Sequence, residues 1–324
     1  MSNLTQPLKI GDVILPHRVL LAPMSGITDS PFRKLAYGAG ASLVTSEMVA
    51  SKELCSSKIE SEMRSNSTNL PYSSVQLIGR EPYYMSEAAK KLEAQGASII
   101  DINMGCPAKK IISGSCGAAL MQDLPLAFNV IEAVVASVNI PVTLKTRLAW
   151  EGESNVAAIS LAKYAEQLGI KMLTIHARTR QQFYNGKADW GRVKEIKDKV
   201  GIPLIVNGDI IDTHSALEAM RKSGADGVMV GRACYGAPWT IGDIVADLLE
   251  NKRKQPNNLA KYIMHHYNLM LSHYSVDLGV RKARKHLVAY LRKNKCCYNA
   301  EERNTMLTAT CPKIVKSLIK KIFN

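Results

Sequence analysis

The sequence predicts an α/β fold: a (β/α)8 TIM barrel followed by a small all-α helical bundle. Three observations lead there. Short apolar, β-rich runs occur eight times, at intervals of 23 to 43 residues. Helical patterns fill most of the gaps, which implies parallel βαβ units. After Trp239 the strand signal stops and only helical periodicity continues.

In chain order the strand runs are Val19–Met24, Leu43–Glu47, Ser74–Ile78, Ser98–Asn103, Pro141–Arg147, Met172–His176, Leu204–Asn207 and Gly227–Val230. Helical spacing fits Tyr83–Gln95, Leu126–Val138, Ser154–Leu168 and Thr213–Ser223 between them. Gly96, Gly169 and Gly224 stand where helices should stop before the next strand. Eight such units over about 240 residues match the size of a TIM barrel. Ile241–Glu250 reads as the last barrel helix and Asn251–Asn258, with Pro256, as a linker. Leu259–Tyr274, Val280–Lys293, Ala300–Thr308 and Pro312–Ile322 follow as four helices. The expected division is a catalytic barrel over 1–250 and a basic helical domain over 251–324.

At 324 residues and 46% hydrophobic, the chain can bury one large core and one small one. The N-terminus lacks a basic start before an apolar run, so no signal peptide is expected. No stretch approaches the roughly 18 apolar residues of a membrane span. The seven cysteines are odd in number and form no C-x-x-C pair. That argues against a disulfide framework or a Cys-rich zinc site and for a cytoplasmic setting. Charge is the informative feature. Residues 251–324 hold 16 Lys+Arg against three acids, Asp277, Glu301 and Glu302, so they carry nearly all of the net +14. One-sided basic charge is the footprint of a polyanion partner, since neutralised phosphates release counterions. A solvated helical face or an anionic membrane surface would explain the same charge with less.

In a TIM barrel the active site forms at the C-terminal ends of the strands. Polar residues are dense there: Pro23-Met24-Ser25, Gln76, Asn103 to Pro107, Lys145 and Arg147, His176 to Arg178, Asn207 to Ile210, and Gly231-Arg232. Loops after strands seven and eight commonly bind phosphate in this fold. Gly208 and Gly231 would let backbone N–H groups approach one, and Arg232 would add a bidentate cation. A phosphate-bearing cofactor is implied, and the lack of G-x-G-x-x-G after an opening strand favours a mononucleotide over a dinucleotide.

These residues also carry a resemblance. Ala22-Pro23-Met24-Ser25-Gly26-Ile27-Thr28-Asp29 with Pro31-Phe32-Arg33, Val75-Gln76-Leu77, and Asp101 to Pro107 resemble the bacterial tRNA-dihydrouridine synthases, most closely the B type. So do Lys145-Thr146-Arg147, His176 to Arg180, Asn207 to Ile210, Val230 to Arg232, and Arg281 to His286 in the tail. Ser25 departs from the family's usual alanine, and Cys116 sits in an unusual Ser115-Cys116-Gly117 loop. The resemblance implies FMN over the barrel mouth and NADPH as electron donor. It places Pro23, Met24 and Ser25 against the flavin ring and Gln76 at its pyrimidine edge. Lys145 would lie beside N1/O2, where a positive charge favours the reduced flavin. Asn207, Gly208, Asp209, Gly231 and Arg232 would hold the ribityl-phosphate, with His176 bridging cofactor and substrate.

The implied reaction reduces the C5=C6 bond of uridine in tRNA. One carbon takes hydride and the other needs an acid, which Cys106 fits, because an ordinary thiol is mostly protonated at neutral pH. Asn103 would bind the uracil edge, and Lys109 and Arg178 would grip the nucleotide. In the tail, Lys282, Arg284, Lys285, Arg292, Lys293 and Lys295 form the basic cluster expected to dock tRNA. Lys313, Lys316, Lys320 and Lys321 fit a solvated face. The other cysteines read as small buried hydrophobes. The tail histidines show no metal-ligand spacing, so no metal is expected, nor is an obligate protein partner. Two competing readings remain: a dihydroorotate-dehydrogenase-like flavin reductase, opposed by the basic tail, and a non-catalytic RNA-binding barrel, which would bind no flavin.

Overall fold

The computed structural model describes residues 3–66, 70–294 and 296–324. Two short strands come first, β1 (Leu8–Ile10) and β2 (Val13–Leu15). They pair antiparallel across Gly11-Asp12, a hairpin too short for the strand criteria applied to the sequence. Then follow β3 (Val19–Leu21), β4 (Val44–Thr45), β5 (Val49–Ala50), β6 (Ser73–Ile78), β7 (Ile99–Met104), β8 (Val142–Arg147), β9 (Met172–His176), β10 (Leu204–Asn207) and β11 (Gly227–Val230). All pair in parallel. Contacts of β3 with β11 and of β4 with both β3 and β6 close the sheet. The expected second strand is interrupted: β5 resumes its edge on β6 after Ser46–Met48, and the Glu47 carboxylate accepts the Gly26 N–H. Eight strands with helices between them form the TIM barrel that the spacing predicted.

A strand's two-residue period sorts the side chains. Val19, Leu21, Ile100, Ile102, Leu144, Leu173, Ile175, Val206, Val228 and Val230 pack outward in the main core beneath the helices. Leu20, Leu43, Ile99, Met172, Ile205 and Met229 point inward, where Leu8, Ile10 and Leu15 of the hairpin meet them and plug the bottom. Two residues further along, the same inward rows carry polar groups. Capping fixes the surrounding helices. Asp29 accepts the Phe32 N–H at the start of Ser30–Gly38, and Asp212 and Ser215 form a capping box at Thr213–Ser223. The three helix-stop glycines, Gly96, Gly169 and Gly224, all take positive φ.

The tail forms the four expected helices, Leu259–His273, Val276–Lys293, Ala300–Thr308 and Pro312–Phe323. The second starts a turn earlier than its periodicity indicated. Their apolar faces share a cluster that also takes in Ala39, Ala237 and Trp239 from the barrel side. Among the described residues no helix is long and apolar enough to cross a membrane.

A buried polar joint fastens tail to barrel. Asp29 Oδ2 accepts a hydrogen bond from Tyr274 Oη at 3.1 Å and lies 3.8 Å from His286 Nε2. His266 Nδ1 and Tyr290 Oη are 3.0 Å apart, and Phe32 stacks on the His286 ring. Burial opposes ionisation of Asp29, but the neighbouring His286 and His266 bring its carboxyl down to about 2. Burial, with His286 beside it, holds His266 well below the usual histidine range. The folded state therefore binds fewer protons at His266 than the unfolded chain does, and stability rises with pH. That contribution is full above the unfolded histidine value of about 6.5 and shrinks as pH falls below it. Urea midpoints measured from about pH 7.5 down to 5.5 are expected to decline, and His266→Gln should flatten part of that decline.

Candidate active site

The polar layer at the top of the barrel opens into a cavity of about 710 Å³, within the range of cofactor sites. It is lined by Pro23, Met24, Ser25, Gln76, Asn103, Cys106, Lys145, His176, Asn207, Gly208, Asp209, Gly231 and Arg232. Those residues come from seven strand ends. Arg147, noted as a strand-end residue, and Lys293, from the tail's basic cluster, also line it, as do Met48, Phe183, Tyr184 and Tyr235, to which sequence reasoning gave no role.

A chain of hydrogen bonds crosses the floor. Thr143 Oγ1 donates to Asp101 Oδ1 at 2.6 Å and Gln76 Nε2 donates to Asp101 Oδ2 at 2.7 Å. Asn103 Nδ2 donates to Gln76 Oε1 at 2.8 Å. Asn103 Oδ1 in turn accepts the backbone N–H groups of Gly105 (3.0 Å) and Cys106 (2.9 Å). Arg147, 2% exposed, clamps the same loop. Its guanidinium donates to the carbonyls of Gly105, Thr179 and Phe183 at 2.7 to 3.0 Å. Burial pushes the Cys106 thiol up, against weaker pulls from the Ala108 N–H, Arg147 and Lys145. Burial therefore keeps the sulfur protonated at neutral pH.

Cations dominate the opposite wall. Lys145 Nζ donates to Asn207 Oδ1 at 3.1 Å. Burial and Arg147 lower its basicity, and Asp101 counters them. His176 is held well below its ordinary range by burial and by Lys145, Arg147, Arg178 and Arg232, so its imidazole is neutral. Gly208 has φ +120° and a Cβ there would meet Ala188 Cβ at 3.0 Å and His176 Cδ2 at 3.2 Å, so no side chain fits. Trp190 Nε1 donates to its carbonyl at 2.9 Å. At Gly231 a Cβ would make ordinary van der Waals contact with Ala22 Cβ at 3.6 Å and Met24 Sδ at 3.9 Å, so the backbone there is less crowded than at Gly208.

Four expected residues, Arg178, Arg284, Lys109 and Lys285, do not line the cavity, and a fifth, Asp209, lines it with its carboxylate already paired. Arg178 is 1% exposed and does not face the cavity. It donates to Asp209 Oδ2 (2.6 Å) and to the carbonyls of Asn185 and Gly186, so its charge anchors a loop instead of gripping a nucleotide. Asp209 sits at φ +54°. Its carboxylate is consumed by Arg178, the Ala188 N–H and Arg232, which together hold it below the usual range against its partial burial. That side chain is unavailable to a phosphate, which its charge would in any case repel. Arg284 donates to the carbonyls of Thr308 and Ala309 and pins the turn before the last helix. Lys109 is exposed on a short helix after β7, outside the cavity wall. Lys285 lies between tail and barrel, its Nζ 3.2 Å from where a Gly26 Cβ would stand, and its carbonyl accepts Tyr235 Oη at 2.7 Å. Lys293 of the same helix does reach the cavity rim. Lys295 lies outside the described residues.

Phe183 and Tyr184 were missed because they follow β9 in a polar stretch without periodicity. The signal was present as two adjacent aromatics in Gln181-Gln182-Phe183-Tyr184. Tyr184 stands half-exposed with Arg232 5.2 Å and Arg147 5.8 Å from its ring centre.

Comparison with known proteins agrees with this geometry. The family model described as "Dihydrouridine synthase (Dus)" matches residues 20–322. A probable tRNA-dihydrouridine synthase of Rhizobium leguminosarum bv. phaseoli is 47% identical over 299 residues, 92% of this chain and 93% of the relative. A tRNA-dihydrouridine synthase B of Pseudomonas syringae pv. tomato is 40% identical, covering 87% of this chain and 85% of its own. Among solved structures, histamine dehydrogenase from Rhizobium sp. 4-9 aligns with a TM-score of 0.61 at 14% identity, over 83% of this chain and 51% of that one. A 2-naphthoyl-CoA reductase aligns at the same TM-score over 76% and 52%. At such identity these structures speak to the fold alone.

Because Arg147 donates to three carbonyls in the loops after β7 and β9, Arg147→Met is expected to cost roughly 3 kcal/mol, the scale of leaving buried acceptors unpaired. Urea unfolding of the purified variant measures it.

Proposed function

This chain belongs to the dihydrouridine synthase family, and from that premise we propose that it reduces the C5=C6 bond of uridines in tRNA, with FMN bound in the barrel mouth and NADPH as electron source. The observation that carries the reading is a protonated thiol, Cys106, held by a two-amide chain on one side of a flavin-sized cavity whose other side is cationic. The residues fit FMN. Gly208 admits no side chain, Gly231 lines the same cavity, and the Arg232 side chain is 56% exposed beside them, a cradle suited to a phosphate. Pro23, Met24 and Ser25 would flank the ring, Gln76 its edge, and Asn207 with the backbone at 208 and 209 the ribityl-phosphate. When bound, FMN supplies the hydride.

The protein's own groups do the rest. Lys145 keeps a positive charge on the cavity floor, which favours electron density nearby. Neutral His176 donates or accepts a hydrogen bond without adding charge. Cys106 holds the proton that the second carbon must receive, and its raised pKa keeps it loaded. Asn103 would meet the uracil edge. A uracil inside folded tRNA must leave its stack to reach this depth. Half-exposed Tyr184 on the rim offers a stacking surface for it. The tail, residues 251–324, would grip the tRNA body through Lys282, Lys285, Arg292 and Lys293, the last of which joins that surface to the cavity. Free cysteines throughout fit a cytoplasmic enzyme.

Cys106→Ala is expected to keep the yellow colour of bound flavin while dihydrouridine formation falls by about 10² to 10⁴, the range of a lost general acid. The acid must be protonated to act. Its raised pKa should therefore hold the wild-type rate level past the ordinary thiol value of about 8.5 and let it fall only above that. A kcat/KM profile without that alkaline limb would remove the acid role. For the tail, converting Arg292 and Lys293 together to glutamine should weaken tRNA binding and reduce the slope of log K against log salt by about 1 to 2. Filter binding across salt concentrations reads that slope.

A further inference from the structure

We infer that Asp101 is a positioning residue: from beneath the cavity it fixes the direction of the amide chain that ends at Cys106. The inference rests on the reading of Cys106 as the acid. Asp101 is 4% exposed, lies one inward row below the polar mouth and does not line the cavity. It is out of reach of any bound group, yet it accepts two of the shortest hydrogen bonds at the site.

The logic is one of donors and acceptors. An ionised carboxylate accepts only. The end of Gln76 that faces it must then be the amide nitrogen, which leaves Oε1 for Asn103 Nδ2 at 2.8 Å. Asn103 is thereby forced to turn Oδ1 toward the N–H groups of Gly105 and Cys106. Each link has one allowed orientation because the link beneath it has one. The two ends of an amide are nearly equal in size, so packing alone does not choose between them. A flipped Gln76 would flip Asn103, and its NH2 would then face two backbone N–H groups, donor against donor. The loop carrying the thiol would have to move. Burial favours a proton on Asp101, while Thr143, Gln76 and Lys145 favour its loss. A proton on the oxygen facing Thr143 would be absorbed, since a hydroxyl can accept as well as donate, and the Gln76 contact would survive.

The test is the similarly sized Asp101→Leu, which offers no acceptor to Gln76 or Thr143, in the full-length, flavin-loaded protein. Flavin reduction by NADPH and reoxidation of the reduced flavin by unmodified tRNA are followed separately without oxygen. Reoxidation at saturating tRNA should slow by about 10²-fold, the effect of roughly 1 Å of misplacement at a reacting group. The rate of reduction and the KM for tRNA should stay within about twofold. Reoxidation at the wild-type rate overturns the inference, as does an equal loss in both half-reactions, which would mark a general structural defect. Should Asp101→Leu not fold, Asp101→Ala, which frees Gln76 to rotate, must show the same selective loss. Wild-type protein whose reduced flavin ignores tRNA would overturn the substrate reading and this inference together. Normal wild-type turnover with an equally fast variant would overturn the inference alone.

Discussion

The alternation of side chains along a parallel strand, closed into a ring, is the constraint on which the site depends. Each inward row begins at the bottom with an apolar residue such as Ile99, Met172 or Ile205 and ends at the top with Asn103, His176 or Asn207. On β7 and β8 the middle of the row is polar as well, with Asp101 and Thr143 bonded between the two neighbouring strands. A one-residue slip in any of these strands would send its polar tip into the helix layer and an isoleucine or valine into the mouth. The hairpin formed by Leu8 to Leu15 matters here because it seals the apolar end. With the bottom filled, the mouth is where a ligand can enter.

The electrostatics of that mouth follow from an imbalance of buried charge. Among the described residues, Lys145, Arg147, Arg178 and the half-exposed Arg232 lie around it, opposed by Asp101 and Asp209. Asp209 is fully occupied in bracing Arg178 and Arg232, and Asp101 is spent on the amide chain. The surplus is positive. It keeps His176 neutral and favours an anionic guest at the Gly208–Gly231 side. The Cys106 side gains less, because burial outweighs the same cations there and leaves the thiol protonated. One cavity thus pairs a side whose cations would favour negative charge with a thiol that burial keeps protonated.

Much of this was legible in the sequence. The strand runs gave β6 to β11 almost to the residue, and the polar strand ends marked seventeen of the cavity's lining residues. What sequence could not supply was the direction of long side chains. Arg178 and Arg232 look alike as arginines at strand ends, yet one turns under the loop to meet Asp209 and the carbonyls of Asn185 and Gly186, and the other stays half in solvent. Arg284 was one basic residue in a cluster until the carbonyls of Thr308 and Ala309 claimed it. Phe183 and Tyr184 lie in an aperiodic connection, where position in space comes from the Arg147 clamp and from no local pattern.

The tail is tied to the site too closely to act as a loose appendage. Asp29 caps the helix that follows the Pro23-Met24-Ser25 loop, and the same carboxylate receives Tyr274 and faces His286 from two tail helices. Tyr235, on the cavity wall, donates to the backbone of Lys285, and Lys293 two turns later returns to the rim. A shift of the second tail helix would therefore move both the cap of the first barrel helix and one wall of the cavity. In the proposed reaction the surface that would grip tRNA and the loop that would flank the flavin are connected through buried hydrogen bonds, so the angle at which tRNA docks is set by the same contacts that shape the pocket its uridine must enter.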